Sequence, residues 1–264
     1  MRKIFVFIFC LLTYLRLAAG DDDLCDTRNT AFLPNETISY SVFYSVLGIY
    51  INAGTATFTT TLEKLSDKPV YHAVGEGHTN SNYDWIFKVR DRYESYFDTV
   101  RLQPVKFIRN VDEGGYKKHQ DVTFDPQNNT ATSDDGTYKV PNCVQDVLSA
   151  VYSARNINFD KYKPEDKIPF TMFLDNQLYN LYIRYLGKEE VKTRYGKFHA
   201  IKFKPLLVKG TIFEGGEKMT VWVSDDPNHI PLRIESDISV GSIKVDMMQY
   251  RNLRYQLSSK ISVR

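Results

Sequence analysis

The chain has 264 residues, of which 34 are Lys or Arg and 32 are Asp or Glu. Three of the basic residues lie within the first 16 positions, and the rest of the chain has 31 basic and 32 acidic residues. This nearly neutral net charge argues against nucleic acid as a partner. The 18 Tyr and 16 Phe favour strands over helices, and the length suits one large all-β domain or two small ones.

Residues 1–20 have the pattern of a secretory signal peptide. Arg2 and Lys3 precede a short apolar run, and Ala18-Ala19-Gly20 supplies small residues before the expected cleavage site. The apolar run is too short for a membrane anchor, and Arg16 interrupts its end. We therefore expect an exported protein with no transmembrane segment after signal cleavage.

Apolar and polar residues alternate over most of the remaining chain, as in half-buried strands. The clearest stretch is 218–250, where turns at Asp226-Pro227-Asn228-His229 and Val240-Gly241 separate three strands. About a dozen strands at regular spacing predict a large curved antiparallel sheet, closed or half closed into a barrel. A two-sheet sandwich is the structural alternative.

One helix is predicted near 143–155, and the sheet is expected to pack on it. Asn142 lies three residues before Gln145, which is a variant of the capping box. Five apolar residues follow at helical spacing, namely Val144, Val147, Leu148, Val151 and Tyr152. The sequence therefore predicts an all-β fold with one main, central helix.

The predicted organisation is a single antiparallel domain over 31–256, with a flexible N-terminal tail over 21–30 and a C-terminal tail over 257–264. Two cysteines remain after signal cleavage, Cys25 and Cys143. In an oxidising compartment a disulfide between them is the simplest pairing and would stabilise the fold by several kcal/mol. Two separate free thiols are the alternative.

A weak metal-site pattern occurs on one predicted strand, where His72, Glu76 and His78 share a face. Imidazole and carboxylate groups are zinc ligands. Residues two apart on a strand lie roughly 7 Å from each other, so the two histidines are too distant to chelate one ion without a bend. The pattern favours the polar face of a strand over a metal site, and no cofactor is predicted.

The segment Ser224-Asp225-Asp226 with His229 contains the residue types of a hydrolase. The hydrogen bonding of a tight turn accounts for the same residues. The chain has no G-x-S-x-G, S-x-x-K or H-E-x-x-H motif and no phosphate-binding glycine loop. No catalytic residue is predicted, and the sequence favours a non-enzymatic role while leaving an activity open.

The two tryptophans are the candidate ligand-binding residues. Trp222 alternates with Val221 and Val223, so its ring lies on the opposite face of that strand. There the ring lines a concavity, forms a partner surface or packs beneath the helix. The last alternative is favoured, because the helix is expected to cover the sheet. Trp85 is a second candidate with less sequence context.

An ordered set of short segments resembles the bacterial exported proteins of domain-of-unknown-function family 3108. The segments are 34–40, 52–56, 91–98, 102–104, 145–155, 193–198 and 221–226 with Pro231. The resemblance implies a protein of the periplasm, the cell surface or the extracellular space of a Gram-negative bacterium. It implies no catalytic residue, because the family has no assigned activity.

Three functional hypotheses follow. The first is a non-enzymatic envelope protein whose curved sheet binds a lipid, another apolar ligand or an envelope protein. The second is a structural or assembly factor that acts through its surface, with a filled interior and an exposed apolar patch or free strand edge. The third, which the sequence favours least, is a hydrolase or metal-dependent enzyme.

Overall fold

The computed structural model describes residues 24–25, 28–46, 49–210, 215–238 and 241–261. The predicted signal peptide lies outside these residues. Within the described part of the chain, no helix is both long enough and apolar enough to span a bilayer.

Within the described residues, fifteen strands belong to one antiparallel sheet. In chain order they are β1 (Thr37–Val46), β2 (Ile49–Leu65), β3 (Lys68–Thr79), β4 (Arg90–Asp98), β5 (Pro104–Glu113), β6 (Tyr116–Asp125), β7 (Thr130–Ser133), β8 (Gly136–Lys139), β9 (Lys167–Leu174), β10 (Gln177–Thr193), β11 (Gly196–Pro205), β12 (Met219–Ser224), β13 (Pro231–Asp237), β14 (Ser242–Arg251) and β15 (Lys260–Ile261). The helix α1 (Val147–Ala154) lies between β8 and β9, and 3-10 turns occupy Ser81–Tyr83 and Phe159–Lys161.

The sheet is a meander in which strands pair with their neighbours in the chain. One run extends from β8 back to β1 and the other from β14 back to β9, and β1 pairs with β14 where the runs meet. Short turns suffice for such antiparallel pairs, as at Gly114-Gly115 between β5 and β6. The predicted mostly β fold with one helix and a large curved antiparallel sheet is confirmed, and the described residues form one sheet rather than a sandwich.

The sheet rolls up without closing, so β8 and β9 stand at its two ends. Side chains bridge the opening, because the Phe173 ring of β9 lies 6.1 Å from that of Phe124 and 5.6 Å from that of Tyr138. The segment before α1 covers the edge of β9, where the Gln145 N–H donates to the Thr171 carbonyl at 2.8 Å. The result is a half-closed barrel.

Helix α1 begins with a capping box centred on Asp146. The Asp146 carboxylate accepts hydrogen bonds at 2.8 Å from the backbone N–H groups of Leu148 and Ser149. The Ser149 hydroxyl in turn accepts from the Asp146 N–H at 2.9 Å. Burial raises the pKa of Asp146 to about 6, against the lowering effect of these hydrogen bonds.

The predicted cap, Asn142 with Gln145, is wrong. Gln145 is held in an extended bridge to β9, so the chain is not yet helical there and α1 starts later than residue 143. The predicted apolar stripe is correct at Leu148 and Tyr152, which are buried, and wrong at Val151, which is 37% exposed. Ser and Ala fill the remaining buried positions because α1 lies close to the sheet.

The space between α1 and the sheet is filled. Leu148 and Tyr152 of the helix pack in one cluster with Phe97 of β4, which is fully buried. A Cβ added at Gly75 of β3 would lie 3.1 Å from the Phe58 ring and 3.4 Å from Leu148. Only glycine therefore fits between this helix and this strand without displacement.

The described residues of both predicted tails include side chains buried in the domain. Leu24 is fully buried, and Cys25 forms a disulfide with Cys143 across a Cα–Cα distance of 5.0 Å. At the other terminus Leu257 is buried, and β15 adds to the sheet by pairing with β11. The sheet thus extends past the predicted boundary at residue 256.

A buried polar network joins residues that precede β1 and follow β14 to the C-terminal end of α1 and to the β12–β13 turn. The Arg155 guanidinium donates to both oxygens of Glu36, at 2.5 and 2.9 Å, and to the Asn228 carbonyl at 3.1 Å. Asn228 also accepts from the Tyr255 N–H at 2.9 Å. We call the part of the molecule held by Glu36, Arg155, Asn228 and Tyr255 the closed end.

Candidate functional site

The end of the sheet opposite the closed end carries large apolar side chains that face solvent. There the β1–β2 hairpin lies beside the β3–β4 loop, since the Asn80 N–H donates to the Ala53 carbonyl at 2.8 Å and the Asn80 amide donates to the Asn52 carbonyl at 2.9 Å. We call the following residues the apolar rim: Ile49 (70% exposed), Tyr50 (51%), Trp85 (82%), Ile86 (55%) and Phe87 (43%).

The β3–β4 loop holds its apolar residues outward through hydrogen bonds. Asp84 accepts from the Thr79 hydroxyl at 2.6 Å and from the Arg90 guanidinium at 2.6 Å. These bonds, from Thr79 and then from Arg90, hold the pKa of Asp84 below its usual value. Thr79 also accepts from the Val89 N–H at 3.1 Å, so both ends of the loop are tied together.

Backbone hydrogen bonds continue to the tip of the loop. The N–H groups of Ile86 and Phe87 both donate to the Tyr83 carbonyl, at 2.9 and 3.3 Å. The Trp85 indole N–H donates to the Asn82 carbonyl at 3.0 Å. Trp85 therefore presents an apolar ring whose polar group already has a partner inside the protein.

Phe87 also packs against the neighbouring β5–β6 turn. A Cβ added at Gly114 would lie within 2.8 Å of two atoms of the Phe87 ring, and the positive φ of 58° at Gly114 suits glycine as well. The Gly114 N–H donates to the Lys88 carbonyl at 2.8 Å. The rim is thus a supported element of the fold.

Cationic side chains lie beside the rim. A cleft of about 280 Å³ is lined by Arg90, Asn110, Val111, Asp112, Lys117, Lys118 and His119. The Lys88 and Lys117 ammonium groups both face the Asp112 carboxylate, at 3.8 and 3.9 Å. Two cations thus share one carboxylate at a distance longer than a hydrogen bond, which leaves an excess of positive charge.

A second polar cluster lies near the same end of the roll. Asp175, in the β9–β10 turn, forms ion pairs with Arg109 of β5 and, at 3.0 Å, with Lys118 of β6. Burial, followed by the nearby carboxylate of Glu113, raises the pKa of Asp91 to about 7. The ion pairs of Asp175 tie the β9–β10 turn to β5 and β6 across the gap of the open sheet.

Trp222 does not pack beneath α1. Its ring is buried in a cluster with Phe198, Leu232 and Leu257, a cluster that contains no residue of the helix. The C-terminal segment returns over this part of the sheet, so both faces of β12 are covered. The Trp222 indole N–H donates to Glu189 at 2.7 Å.

The three residues of the possible metal pattern bind separate partners. Both ring nitrogens of His72 face carboxylates, at 2.8 Å from Glu63 and 2.9 Å from Glu94. Glu76 pairs with Arg92, and the His78 ring lies 3.0 Å from the Thr55 hydroxyl. In the described parts of the chain no group of three or more His, Cys, Asp or Glu residues could hold a metal ion.

The hydrolase-like residues form a turn. The buried Ser224 hydroxyl donates to Asp226 at 3.0 Å, and the same carboxylate accepts from the Asn228 N–H at 3.0 Å. The His229 Nδ1 lies 2.7 Å from the Arg155 carbonyl, so it does not face Ser224 through that nitrogen. Burial lowers the pKa of His229. The Ser224 hydroxyl is thus held by the hydrogen bonds of the turn.

Of the rim residues, only Trp85 was predicted from the sequence as a candidate ligand-binding residue. Trp85-Ile86-Phe87 is a run of three large apolar residues between Asp84 and Lys88, next to a turn-forming Asn-Ser-Asn segment. Such a run outside a regular strand is a signal for an exposed apolar patch. Ile49-Tyr50 shows no comparable pattern, because two adjacent apolar residues are ordinary in a strand.

Comparisons with known proteins bear on family and fold. A search among curated proteins found no match. The structure resembles a β-barrel-like protein of DUF1849 from Brucella abortus, at 9% identity and a TM-score of 0.57, over 84% of this chain and 99% of that one. This likeness shows a shared β-barrel-like fold.

Two further solved structures align over a similar length but superpose loosely. One is a protein from Bacteroides fragilis described as exported and of YmcC-like fold, with 12% identity, 84% and 100% coverage and a TM-score of 0.33. The other is described as a lipoprotein from Parabacteroides distasonis, with 11% identity, 85% and 99% coverage and a TM-score of 0.35. The model of the DUF3108 family, which is described as proteins of unknown function, matches residues 39–248 of this chain. The chain therefore belongs to the DUF3108 family.

Proposed function

We propose that this protein is a non-enzymatic exported protein of the bacterial envelope that binds an apolar or amphiphilic partner through its apolar rim. The observation that carries the proposal is the contrast between a filled interior and an exposed Trp85, Ile86 and Phe87. A monomeric protein rarely exposes such a patch without a use for it. The hydrogen-bonded loop that supports these side chains argues in the same direction.

Export is supported by two features of the chain. Residues 1–20 have the signal-peptide pattern, and Cys25 is bonded to Cys143. Disulfides form and persist in oxidising compartments such as the periplasm and the cell exterior. We propose the periplasm or the cell surface of a Gram-negative bacterium as its location.

A structural or assembly factor without a ligand cavity is the second candidate. The filled space between α1 and the sheet favours it over a carrier that encloses its ligand. Both candidates use the surface of the molecule, and both assign the partner to the rim.

The test is binding of an amphiphilic dye, 8-anilinonaphthalene sulfonate, to the purified mature protein. We expect a saturable fluorescence increase that the variant Trp85→Ser/Ile86→Ser lowers by about tenfold in affinity. The variant Val100→Ser, which removes a 60% exposed apolar residue from the β4–β5 turn, should bind as wild type does. Organic extraction should release no stoichiometric lipid; stoichiometric lipid retained by the rim variant would place the ligand inside and overturn the proposal.

A further inference from the structure

We infer that the apolar rim and the cationic cleft beside it together form a docking site for a lipid bilayer that contains anionic headgroups. This inference rests on the surface role proposed above and names the partner. It assigns the apolar rim to the acyl-chain boundary and the cleft to the headgroups.

The shape of the rim is the first argument. Trp85 is 82% exposed and Ile49 is 70% exposed, so these side chains project from the protein instead of lining a groove. They belong to a loop tip and to the end of a hairpin. A projecting apolar tip inserts into a soft interface, whereas a folded peptide or helix is bound by a groove that surrounds it.

The composition of the rim is the second argument. Trp and Tyr are the side chains enriched at the boundary between lipid headgroups and hydrocarbon, because each has an apolar body and one polar group. Trp85 and Tyr50 are accompanied by Ile49, Ile86 and Phe87, which have no polar side-chain atom. The five residues combine interfacial anchors with purely apolar ones.

Three donors at the tip of the loop already have partners within it, which is the third argument. The Trp85 indole N–H donates to the Asn82 carbonyl, and the N–H groups of Ile86 and Phe87 donate to the Tyr83 carbonyl. A backbone or indole donor that loses water without a partner opposes insertion. Three donors of this loop are paired within it, which lowers the cost of moving the tip into an apolar layer.

Charge complementarity selects an anionic surface. Lys88 follows the apolar run directly, and Lys117 is 76% exposed at its side chain, yet both share the single carboxylate of Asp112. Of the other cations that line the cleft, Arg90 is paired with Asp84. Lys118 shares the Asp175 carboxylate with Arg109 and adds to the positive excess. Cations placed next to an inserted apolar tip lie at headgroup depth, where they attract anionic phosphates.

The test uses the two tryptophans of the chain as reporters. Trp222→Phe leaves Trp85 as the sole tryptophan, and its emission should shift to shorter wavelength when vesicles of phosphatidylcholine with phosphatidylglycerol are added. Wild-type protein should co-sediment with these vesicles, less with pure phosphatidylcholine, and less again as salt screens the lysines. The co-sedimentation of the wild type needs no tryptophan variant, so it decides the matter even where Trp222→Phe fails to fold.

Two variants separate the contributions. Trp85→Ser/Ile86→Ser should lower the vesicle partition coefficient by roughly a hundredfold, since each buried large apolar side chain is worth about a decade. Lys88→Gln/Lys117→Gln should lower partitioning into anionic vesicles only. Val100→Ser is the control for exposed apolar residues and should partition as wild type does.

Three outcomes overturn the inference: no co-sedimentation of the wild type with anionic vesicles, unchanged partitioning of the Trp85→Ser/Ile86→Ser variant, or a concentration-dependent emission shift without vesicles. The last would assign the rim to a second copy of the chain. Dye binding that still depends on the rim in the absence of vesicle binding would leave the proposed surface role standing. Loss of both would remove the proposed function itself.

Discussion

The two ends of the rolled sheet differ in which side chains they bury and which they expose. At the closed end the charges of Arg155 and Glu36 are buried and paired, with the guanidinium 4% exposed and the carboxylate 1% exposed. At the rim, apolar side chains such as Trp85 are exposed, and the Trp85 indole N–H is paired within its own loop. We therefore expect folding stability to depend most on the closed end, and we propose the rim as the binding surface.

The largest effect expected on folding stability is that of losing the disulfide. Cys25→Ser/Cys143→Ser opens a cross-link with a sequence separation of 118. Chain entropy then predicts a loss of about 4–5 kcal/mol in the free energy of unfolding, measured by urea denaturation. A change below about 1 kcal/mol would mean that the N-terminal segment stays docked without the bond.

Breaking the buried ion pair is the next test of the comparison. Arg155→Leu leaves Glu36 buried without its partner, so we expect a loss of about 3–5 kcal/mol in the free energy of unfolding. Arg92→Gln is the matched control, because Arg92 pairs with Glu76 and Glu94 but is 42% exposed at its side chain. The control should lose less than about 1 kcal/mol. Equal losses in the two variants would contradict the assignment of stability to the closed end.

A pair of aliphatic truncations compares the interior with the rim directly. Leu148→Ala removes a side chain that is 3% exposed and should cost about 3 kcal/mol, since the filled interior leaves a cavity behind. Ile86→Ala removes a side chain that is 55% exposed and should change stability by less than about 0.5 kcal/mol. Urea denaturation of both variants measures the difference, and a costly Ile86→Ala would show that the rim is part of the core.

A further expected effect, reduced by solvent screening, is a pH dependence of stability from Asp91. Burial and then Glu113 raise its folded-state pKa to about 7, whereas an unfolded Asp titrates near pH 4. The native carboxyl therefore keeps a proton that the unfolded chain has lost. The contribution of Asp91 to the free energy of unfolding is complete below about pH 4 and is lost as the pH rises towards about 7. Solvent reduces the size of the effect, because Asp91 is only partly buried.

The variant Asp91→Asn isolates this contribution from that of the other titrating groups. The stability of the wild type relative to the variant should fall as the pH rises from about 4 to 7 and then level off. Asp84→Asn is the control, because the pKa of Asp84 is lowered and its effect lies at the acid side of this window. A relative stability that rises with pH between these limits would show that the Asp91 carboxylate is stabilised in the fold.

Much of the fold could be predicted from the sequence because its signals are local. Alternation marks strands, and turn residues such as Gly114-Gly115 mark reversals, so a meander can be recognised without long-range information. The helix start was misplaced because Asn142 with Gln145 and Asp146 with Ser149 are both plausible caps. Pairing of Gln145 with β9, a contact between distant parts of the chain, decides between them.

The surroundings of individual side chains were harder to predict. Alternation correctly set Trp222 opposite Val221 and Val223, but it cannot show that the C-terminal segment, with Leu257, returns to cover that face. In the same way, nothing local shows that the hairpin end with Tyr50 lies beside the loop with Trp85. Both contacts depend on how the sheet curls in three dimensions, and the alternation of residues along single strands does not determine that curvature.

The most direct test of the central claim asks which tryptophan an acyl chain reaches. A brominated fatty acid quenches tryptophan fluorescence on contact, and the single-tryptophan variants Trp222→Phe and Trp85→Phe separate the two residues. Because Trp85 lies on the exposed rim and Trp222 in a packed cluster, we expect quenching in Trp222→Phe and none in Trp85→Phe. Quenching of Trp222 with Trp85 unaffected would place the acyl chain away from the rim and contradict the account.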